Sequence, residues 1–334
     1  MTLSHFRHEP KEDITPSRAL WFEAPGKAVL CDGSVPAPAA GEVLVRTSFS
    51  SISRGTEATV FQGLVPESER ERMRVPFMDG EFGFPVKYGY CAIGTVEEGE
   101  PDLIGRSVFC LHPHQELFVV PAAAVTPLPQ DLPASRAVLA ANMETALNII
   151  WDAAILPGER IAVFGAGVVG SLVAYLATRI TGTEVVLTDP NLERASLAEA
   201  LGVAFAVPNS LEGEFDALIN ASGASAALSQ AIDLAGLEAR IVEASWYGER
   251  PVSLSLGGAF HSRRLSIVSS QVGHVSGRMR ARWSHARRLA KVMDLLRDDR
   301  LEALISGETA FADLAEDYPR ILQSSATLLH RIRY

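Results

Sequence analysis

Three glycines carry the clearest chemistry in this sequence. In FGAGVVG, Gly165, Gly167 and Gly170 stand in G-x-G-x-x-G spacing, after an apolar run that reads as a strand and before one that reads as a helix. Gly165 permits a tight turn, Gly167 lets the backbone approach a pyrophosphate, and Gly170 lets the helix pack closely on its sheet. The first helical turn, from Val168 and Val169, supplies unpaired N–H donors to the same anion. Asp189 ends the next apolar run, EVVLTD, where a carboxylate can accept from both ribose hydroxyls of an adenosine. It can instead cap a helix beginning at Asn191, since Asp-Pro-Asn is turn chemistry. The ribose role favours NAD over NADP, because a carboxylate about 4 Å from a 2′-phosphate costs roughly 4 kcal/mol per unit charge at an effective dielectric near 20.

These residues need elements to hold them. From residue 160 the sequence alternates strands and helices: RIAVFG, a helix from Val168, EVVLTD, a helix from Asn191, VAFAV, FDALINAS, a helix from Ala224 and ARIVEAS. Strands that are apolar throughout, alternating with helices, imply a parallel sheet covered on both faces. Ser222 and the Ser245-Trp246 pair fall just past two of its strands, at the edge where open α/β sheets bind ligands, and are expected to border the nicotinamide half of a cofactor. Residues 18 to 121 read differently, as short strands such as RALWF, KAVL, GEVLVRT, RSVFCL and LFVVP between Pro- and Gly-rich turns, with little helical periodicity before residue 134. The expected fold class is α/β: a Rossmann domain with a doubly wound parallel sheet, plus a β-rich domain. The expected boundaries are 1–126 for the first part of the β-rich domain, 127–270 for the Rossmann domain and 271–334 for a return segment packing on the first domain. A basic helix is expected over 278–297.

Composition narrows the function classes. The chain has 334 residues, 47% of them hydrophobic, and a formal net charge of −10, which disfavours nucleic acid or an anionic membrane as partner. A small-molecule substrate is expected instead. The first sixteen residues mix both charges with two prolines and lack the apolar core of a secretory signal, so the expected location is cytoplasmic. Cys31, Cys91 and Cys110 are far apart and offer neither a disulfide framework nor a structural zinc lobe. The uncharged run IAVFGAGVVGSLVAYLAT approaches the length of a membrane span, but its glycines divide it into a strand and a helix.

PAPAAGEVLVRT, SSISRGTEATVFQG and FPVKYGYCAIGTV, followed by the Rossmann unit and a return segment, resemble the medium-chain dehydrogenase/reductase superfamily, whose β-rich part is GroES-like. The resemblance covers nearly the whole chain. Where zinc-dependent members read G-H-E-x-x-G, this chain has Gly89 and Gly94 with Tyr90 in place of the histidine and Cys91 in place of the glutamate. Where they read G-I-C-G-T-D, either Ser53 or Arg54 replaces the cysteine, and Ala141 stands at the third ligand position. No zinc is therefore expected, and no other metal. The ISRGTE wording looks most like the subgroup containing bacteriochlorophyllide a 2-hydroxyethyl dehydrogenase, which implies NAD-linked oxidation of a secondary alcohol. A homodimer is the superfamily habit.

Without zinc, another group must polarise the substrate oxygen. Tyr90 can donate to the developing alkoxide, with Lys87 lowering its pKa, or it can be a core residue with its hydroxyl at the rim. Thr56 matches a position that begins a proton relay in the superfamily, and is also ordinary turn material. Cys91 reads as a buried structural thiol. Glu144 can serve as a base or cap the helix that follows, and Thr145 resembles a nicotinamide contact. His112 and His114 are spaced to bind a metal from one strand face but have no third ligand nearby. The arginines at 278, 280, 282, 287 and 288 form a solvated face or cap the cleft against a carboxylate or phosphate of the substrate. The expected activity is NAD-dependent interconversion of an alcohol and a carbonyl on a small to medium-sized substrate, including carboxylate-bearing ones. The alternatives are an NADPH-dependent enone or quinone reductase and a non-catalytic nucleotide-binding protein.

Overall fold

The computed structural model describes residues 14–334. The reading of the N-terminal stretch as free of a secretory core concerns residues 1–13, which lie outside the described residues, and three residues within them. Six parallel strands form the Rossmann sheet, in spatial order Ala204–Ala206, Glu184–Thr188, Arg160–Phe164, Phe215–Asn220, Ala235–Glu243 and Ser266–Ser269. The order reverses between Arg160–Phe164 and Phe215–Asn220, which opens a crevice at their carboxyl ends. Helix Val168–Ala177 follows the first of these strands directly, so the long uncharged run divides between strand and helix as its glycines require. No helix among the described residues is long and apolar enough to cross a membrane.

The β-rich domain holds two sheets. A four-stranded sheet contains Ile14–Ala24 and Lys27–Pro36, paired antiparallel, with the two-residue strands Val86–Lys87 and Asp79–Gly80 beside them. The larger sheet centres on Glu42–Ile52, which pairs with Ala92–Gly99, Leu117–Pro121 and Leu329–Arg333. Its buried positions are mostly Val, Leu, Ile and Phe, the residues that fill a pleated, half-buried surface.

Three elements differ from expectation. Helix Arg54–Phe61 lies inside the strand-rich region; Gly55, Thr56 and Thr59 are weak helix formers and no side chain caps its start, so propensity alone hides it. The helix expected from Asn191 begins at Arg194, because Asn191 and Glu193 form a turn in which the Asn191 side chain accepts from the Glu193 N–H. The basic helix is only His285–Leu295, with turns over 277–282 before the Ser284 cap.

The segment from 271 also divides. Helix His285–Leu295 packs on helix Ala140–Ala153 rather than on the first domain, held by Arg288, which is 2% exposed and donates to Glu144 at 2.9 Å and Asn148 at 2.7 Å. Only from strand Ile305–Ala310 onward does the chain rejoin the larger β sheet. Helix Ala140–Ala153 spans the junction, its residues packing in the same core cluster as Val163, Leu172, Ile93 and Phe109.

Candidate active site

The glycine turn has the geometry a dinucleotide requires. Gly165 has φ +99°, in the left-handed region, and a Cβ there would lie 2.7 Å from Ser222 Cα. At Gly170 a Cβ would lie 1.9 Å from the Gly165 carbonyl oxygen, so only glycine lets the helix sit this close to the turn. Gly167, by contrast, is exposed, and a Cβ there would meet nothing within 4 Å. It is the N-cap of helix Val168–Ala177, and no side chain caps that end, which leaves the Val168 and Val169 N–H groups to an anion. The residues present therefore fit a bound pyrophosphate.

Asp189 is held by the backbone on both sides. Its Oδ2 accepts from the Ala166 N–H at 2.8 Å and its Oδ1 from the Asn191 N–H at 2.9 Å, which fixes the carboxylate between the glycine turn and the following turn. It does not cap a helix, since the helix starts at Arg194. Ser222 and Ser245 sit at the same sheet edge; the Ser222 hydroxyl donates to Asn220 at 2.6 Å and Ser245 Oγ accepts from the Gly223 N–H at 3.0 Å. Trp246 is half-buried and packs, as Tyr90 does, against the apolar cluster of Phe22, Phe61 and Tyr88. Trp246, at the cofactor-sheet edge, and Tyr90 thus border the same apolar cluster.

Around Tyr90 the chain gathers the positions singled out as replacing zinc ligands. Ser53 precedes helix Arg54–Phe61, and its hydroxyl accepts from Asn142 Nδ2 at 3.1 Å, one residue beyond the buried Ala141. The Ser53 and Thr56 hydroxyls face the Tyr90 hydroxyl and favour its anion, but burial and the nearby Glu57 outweigh them and hold the phenol well above its ordinary pKa. Tyr90 is consequently a proton donor at neutral pH. Its ring is half-buried and meets Tyr88 edge-on at 6.1 Å. Arg54 points elsewhere, donating to the Ser324 carbonyl at 3.0 Å, so of the two alternatives only Ser53 faces Tyr90.

Other expectations need correction. Lys87 does not lower the Tyr90 pKa: its ammonium donates to Gln115 at 3.1 Å and lies 3.8 Å from Asp79, and its own pKa is depressed by burial. Glu144 neither caps a helix nor stands free as a base, because it lies within helix Ala140–Ala153, 5% exposed and ion-paired with Arg288. Thr145 is on the same helix, and its hydroxyl donates back to the Ala141 carbonyl at 3.0 Å. Cys91 is 2% exposed, with Sγ donating to the Val138 carbonyl at 3.2 Å, and burial pushes its thiol up to about 12. It packs and does not react.

The structure also contains a group the sequence reading missed. Glu57, fully buried, accepts from the Ser53 N–H at 2.7 Å, from His114 Nε2 at 3.1 Å and from the Tyr318 hydroxyl. His114 Nδ1 in turn meets Ser50 Oγ at 2.9 Å, and Ser50 meets the Tyr334 hydroxyl at 3.0 Å. Gly89 makes room for this histidine: it has φ +122°, and a Cβ there would lie 3.0 Å from the ring. Among the described residues no group of three or more His, Cys, Asp or Glu could hold a metal ion.

His112, the other histidine of that pair, is stacked on Phe118 with ring centroids 3.9 Å apart and on Phe77 at 5.6 Å. Burial pushes it down to about 3. Between about pH 6.5 and 3 the unfolded chain therefore binds a proton that the folded chain does not, so stability falls as pH falls through this window. His112→Phe, which keeps the stack, is expected to flatten that part of the profile in urea melts from pH 7 to 4. An unchanged slope would refute the assignment.

No family model matches the chain. D-guloside 3-dehydrogenase of Escherichia coli is 25% identical over 332 residues, covering 90% of this chain and 95% of the relative. A short-chain alcohol dehydrogenase of Escherichia coli, RspB, solved in complex with NADH, superposes with a TM-score of 0.76 at 18% identity, covering 96% of this chain and 99% of that one. These matches support a place in the medium-chain dehydrogenase/reductase superfamily. A putative zinc-binding dehydrogenase of Sinorhizobium meliloti bound to NADP has the same TM-score of 0.76 at 17% identity, covering 96% of this chain and 100% of that one. The superfamily's pairing of a parallel cofactor sheet with a β-rich domain is the architecture described above.

Proposed function

We propose that this medium-chain dehydrogenase/reductase is an NAD(H)-dependent, zinc-independent oxidoreductase that interconverts an alcohol, preferentially secondary, and a carbonyl. The observation that carries the reading is the Tyr90 phenol, held protonated beside Ser53 and Thr56 and bordering the same apolar cluster as Trp246. The full-length likeness to a sugar dehydrogenase and the fold shared with NADH- and NADP-bound dehydrogenases support a nicotinamide cofactor. A nicotinamide, when bound, accepts or supplies the hydride. Gly165, Gly167 and Gly170 would hold its pyrophosphate, and Asp189 its adenosine ribose. Tyr90 then donates a hydrogen bond to the substrate oxygen and stabilises the charge that develops there.

The donor set supports zinc independence. Ser53 and Tyr90 offer neutral hydroxyls and Ala141 offers no donor, a set that does not fit the thiolate, imidazole and carboxylate ligands zinc prefers. Metal analysis of purified protein is expected to find well under one zinc per chain, with activity unaffected by chelators; stoichiometric zinc refutes this part of the reading.

Cofactor choice follows from Asp189, tempered by Arg194, whose positive charge lies close enough to interact with it. Arg194 is already committed to the carbonyls of Ser325 and Ala326, at 2.6 and 3.4 Å, so the carboxylate dominates. NADH is expected to bind about tenfold or more tightly than NADPH, and Asp189→Ala to narrow the gap in fluorescence titrations. Equal affinities in the parent protein would exclude NAD preference. Among the described residues strand Ser266–Ser269 is paired on one side only, with Ala235–Glu243, which leaves an edge for the expected homodimer.

A further inference from the structure

A groove of about 570 Å³ opens on the β-rich domain between strands Ile305–Ala310 and Leu329–Arg333 and helix Leu314–Gln323, and no residue of the Tyr90 cluster lines it. Its volume falls in the range of small-molecule sites. At its floor is His330, 8% exposed. His330 Nε2 lies 2.8 Å from Thr309 Oγ1, and that hydroxyl donates to Asp317 Oδ2 at 3.1 Å. The threonine has one proton and gives it to Asp317, so Nε2 must be the N–H donor to Thr309. Nδ1 is therefore an unprotonated acceptor, and no hydrogen bond among the described residues satisfies it. Burial lowers the histidine's pKa, against the pull of Asp317 and Glu308 and with the push of Arg320, which keeps that lone pair free.

Gly307 keeps Nδ1 reachable. A Cβ at Gly307 would lie 2.8 Å from it, so any side chain would fill the place where a ligand atom can meet the imidazole. Both arginines of the walls are paired, Arg320 with Asp317 at 2.7 Å and Arg333 with Glu308 at 3.2 Å, and the Asp313 carboxylate also lines the groove. An anionic ligand would have to break one of these pairs and face the Asp313 carboxylate, whereas a ligand hydroxyl can donate to it. The hydroxyls of Ser306, Ser324 and Thr327 complete the lining. Such a lining suits a neutral molecule bearing hydroxyl donors.

Two groove residues also belong to a loop that reaches the cofactor side. Arg54, next to Ser53, donates to the Ser324 carbonyl, and Arg194, beside Asp189, donates to those of Ser325 and Ala326. We propose that the groove is an effector site for a small neutral polyol, whose hydroxyl donates to His330 Nδ1 and whose binding is felt at the cofactor cleft through residues 324–326. The coupling, though not the site, rests on the nicotinamide reading above.

The test uses the full chain with D-glucitol and methyl α-D-glucopyranoside as probes and sodium acetate as an anionic control. At least one polyol is expected to produce a saturable shift of the His330 Nδ1 resonance in ¹⁵N spectra and to change the NADH dissociation constant by about fivefold. Gly307→Val, which fills the floor at a position with ordinary backbone angles, should abolish both effects while leaving NADH affinity without polyol unchanged. Should that variant fail to fold, His330→Phe removes the acceptor and should abolish polyol binding by calorimetry. The site is overturned by no saturable shift with either polyol, by a shift that survives Gly307→Val, or by acetate binding there in preference. Saturation with unchanged NADH affinity overturns the coupling. A chain that shifts His330 but binds no NADH refutes the nicotinamide reading and leaves the polyol site standing.

Discussion

Tyr90→Phe is expected to slow the chemical step by about 10²- to 10⁴-fold, the range for a lost general acid, while NADH affinity and melting temperature barely move. The phenol is the donor because its proton is held on: burial and Glu57 both raise its pKa, and the opposing Ser53 and Thr56 hydroxyls do not offset them. With a nicotinamide bound, the phenol would give its proton to a carbonyl oxygen as hydride reaches the carbon, and water would return a proton to the phenolate. Cys91→Ala is the matched control on the adjacent residue. It leaves a small cavity beside Val138, so it should cost stability and leave turnover within about a few fold. A screen over secondary alcohols and ketones supplies the substrate, and single-turnover absorbance at the nicotinamide band reads the step. If Tyr90→Phe turns over like the parent, the tyrosine is packing and the proton comes from elsewhere.

Glu57→Ala is expected to be the most destabilising single change near the site, by about 3–5 kcal/mol. It leaves three buried donors without an acceptor at once: the Ser53 N–H, His114 Nε2 and the Tyr318 hydroxyl. The three belong to a helix start, a loop and a C-terminal helix, so the loss is shared by three elements. Tyr318→Phe alone should cost less, and the double variant should fall short of the sum by about 1 kcal/mol or more, since the two share one interaction. Urea unfolding of the four proteins measures this. Additive losses would show that the carboxylate and the phenol do not act together.

The contrast between these two residues shows what can be read along the chain. In the glycine turn the contact between Gly170 and Gly165 spans five positions and is written in the spacing, whereas the approach of Gly165 to Ser222 is not. Tyr90 stands out because it lies between two glycines in a recognisable stretch. Glu57 gives no such cue: its partners His114 and Tyr318 lie 57 and 261 residues away, and no local pattern records a contact of that span. Arg288 is closer to legible. In the helix His285–Leu295 it lies four residues before the buried Val292, on the apolar stripe, whereas Arg287 is exposed. An arginine in a stripe of that period requires a buried acceptor, and Glu144 is that acceptor.

Strand Leu329–Arg333 lies between Ile305–Ala310 and Glu42–Ile52, pairing with both, and Tyr334 closes on Ser50, 284 positions away in the chain. A ribosome making this protein therefore releases the whole Rossmann unit, with its local strand-helix-strand contacts, before the β-rich sheet can be completed. Until residue 333 emerges, the Phe49–Ile52 end of strand Glu42–Ile52 lacks its partner on one side and exposes a short edge. The β-rich half of the molecule is the last to be completed, although its sequence is the first to be translated. Nascent chains stalled before residue 329 should bind a chaperone through that edge, while their Rossmann half is already folded.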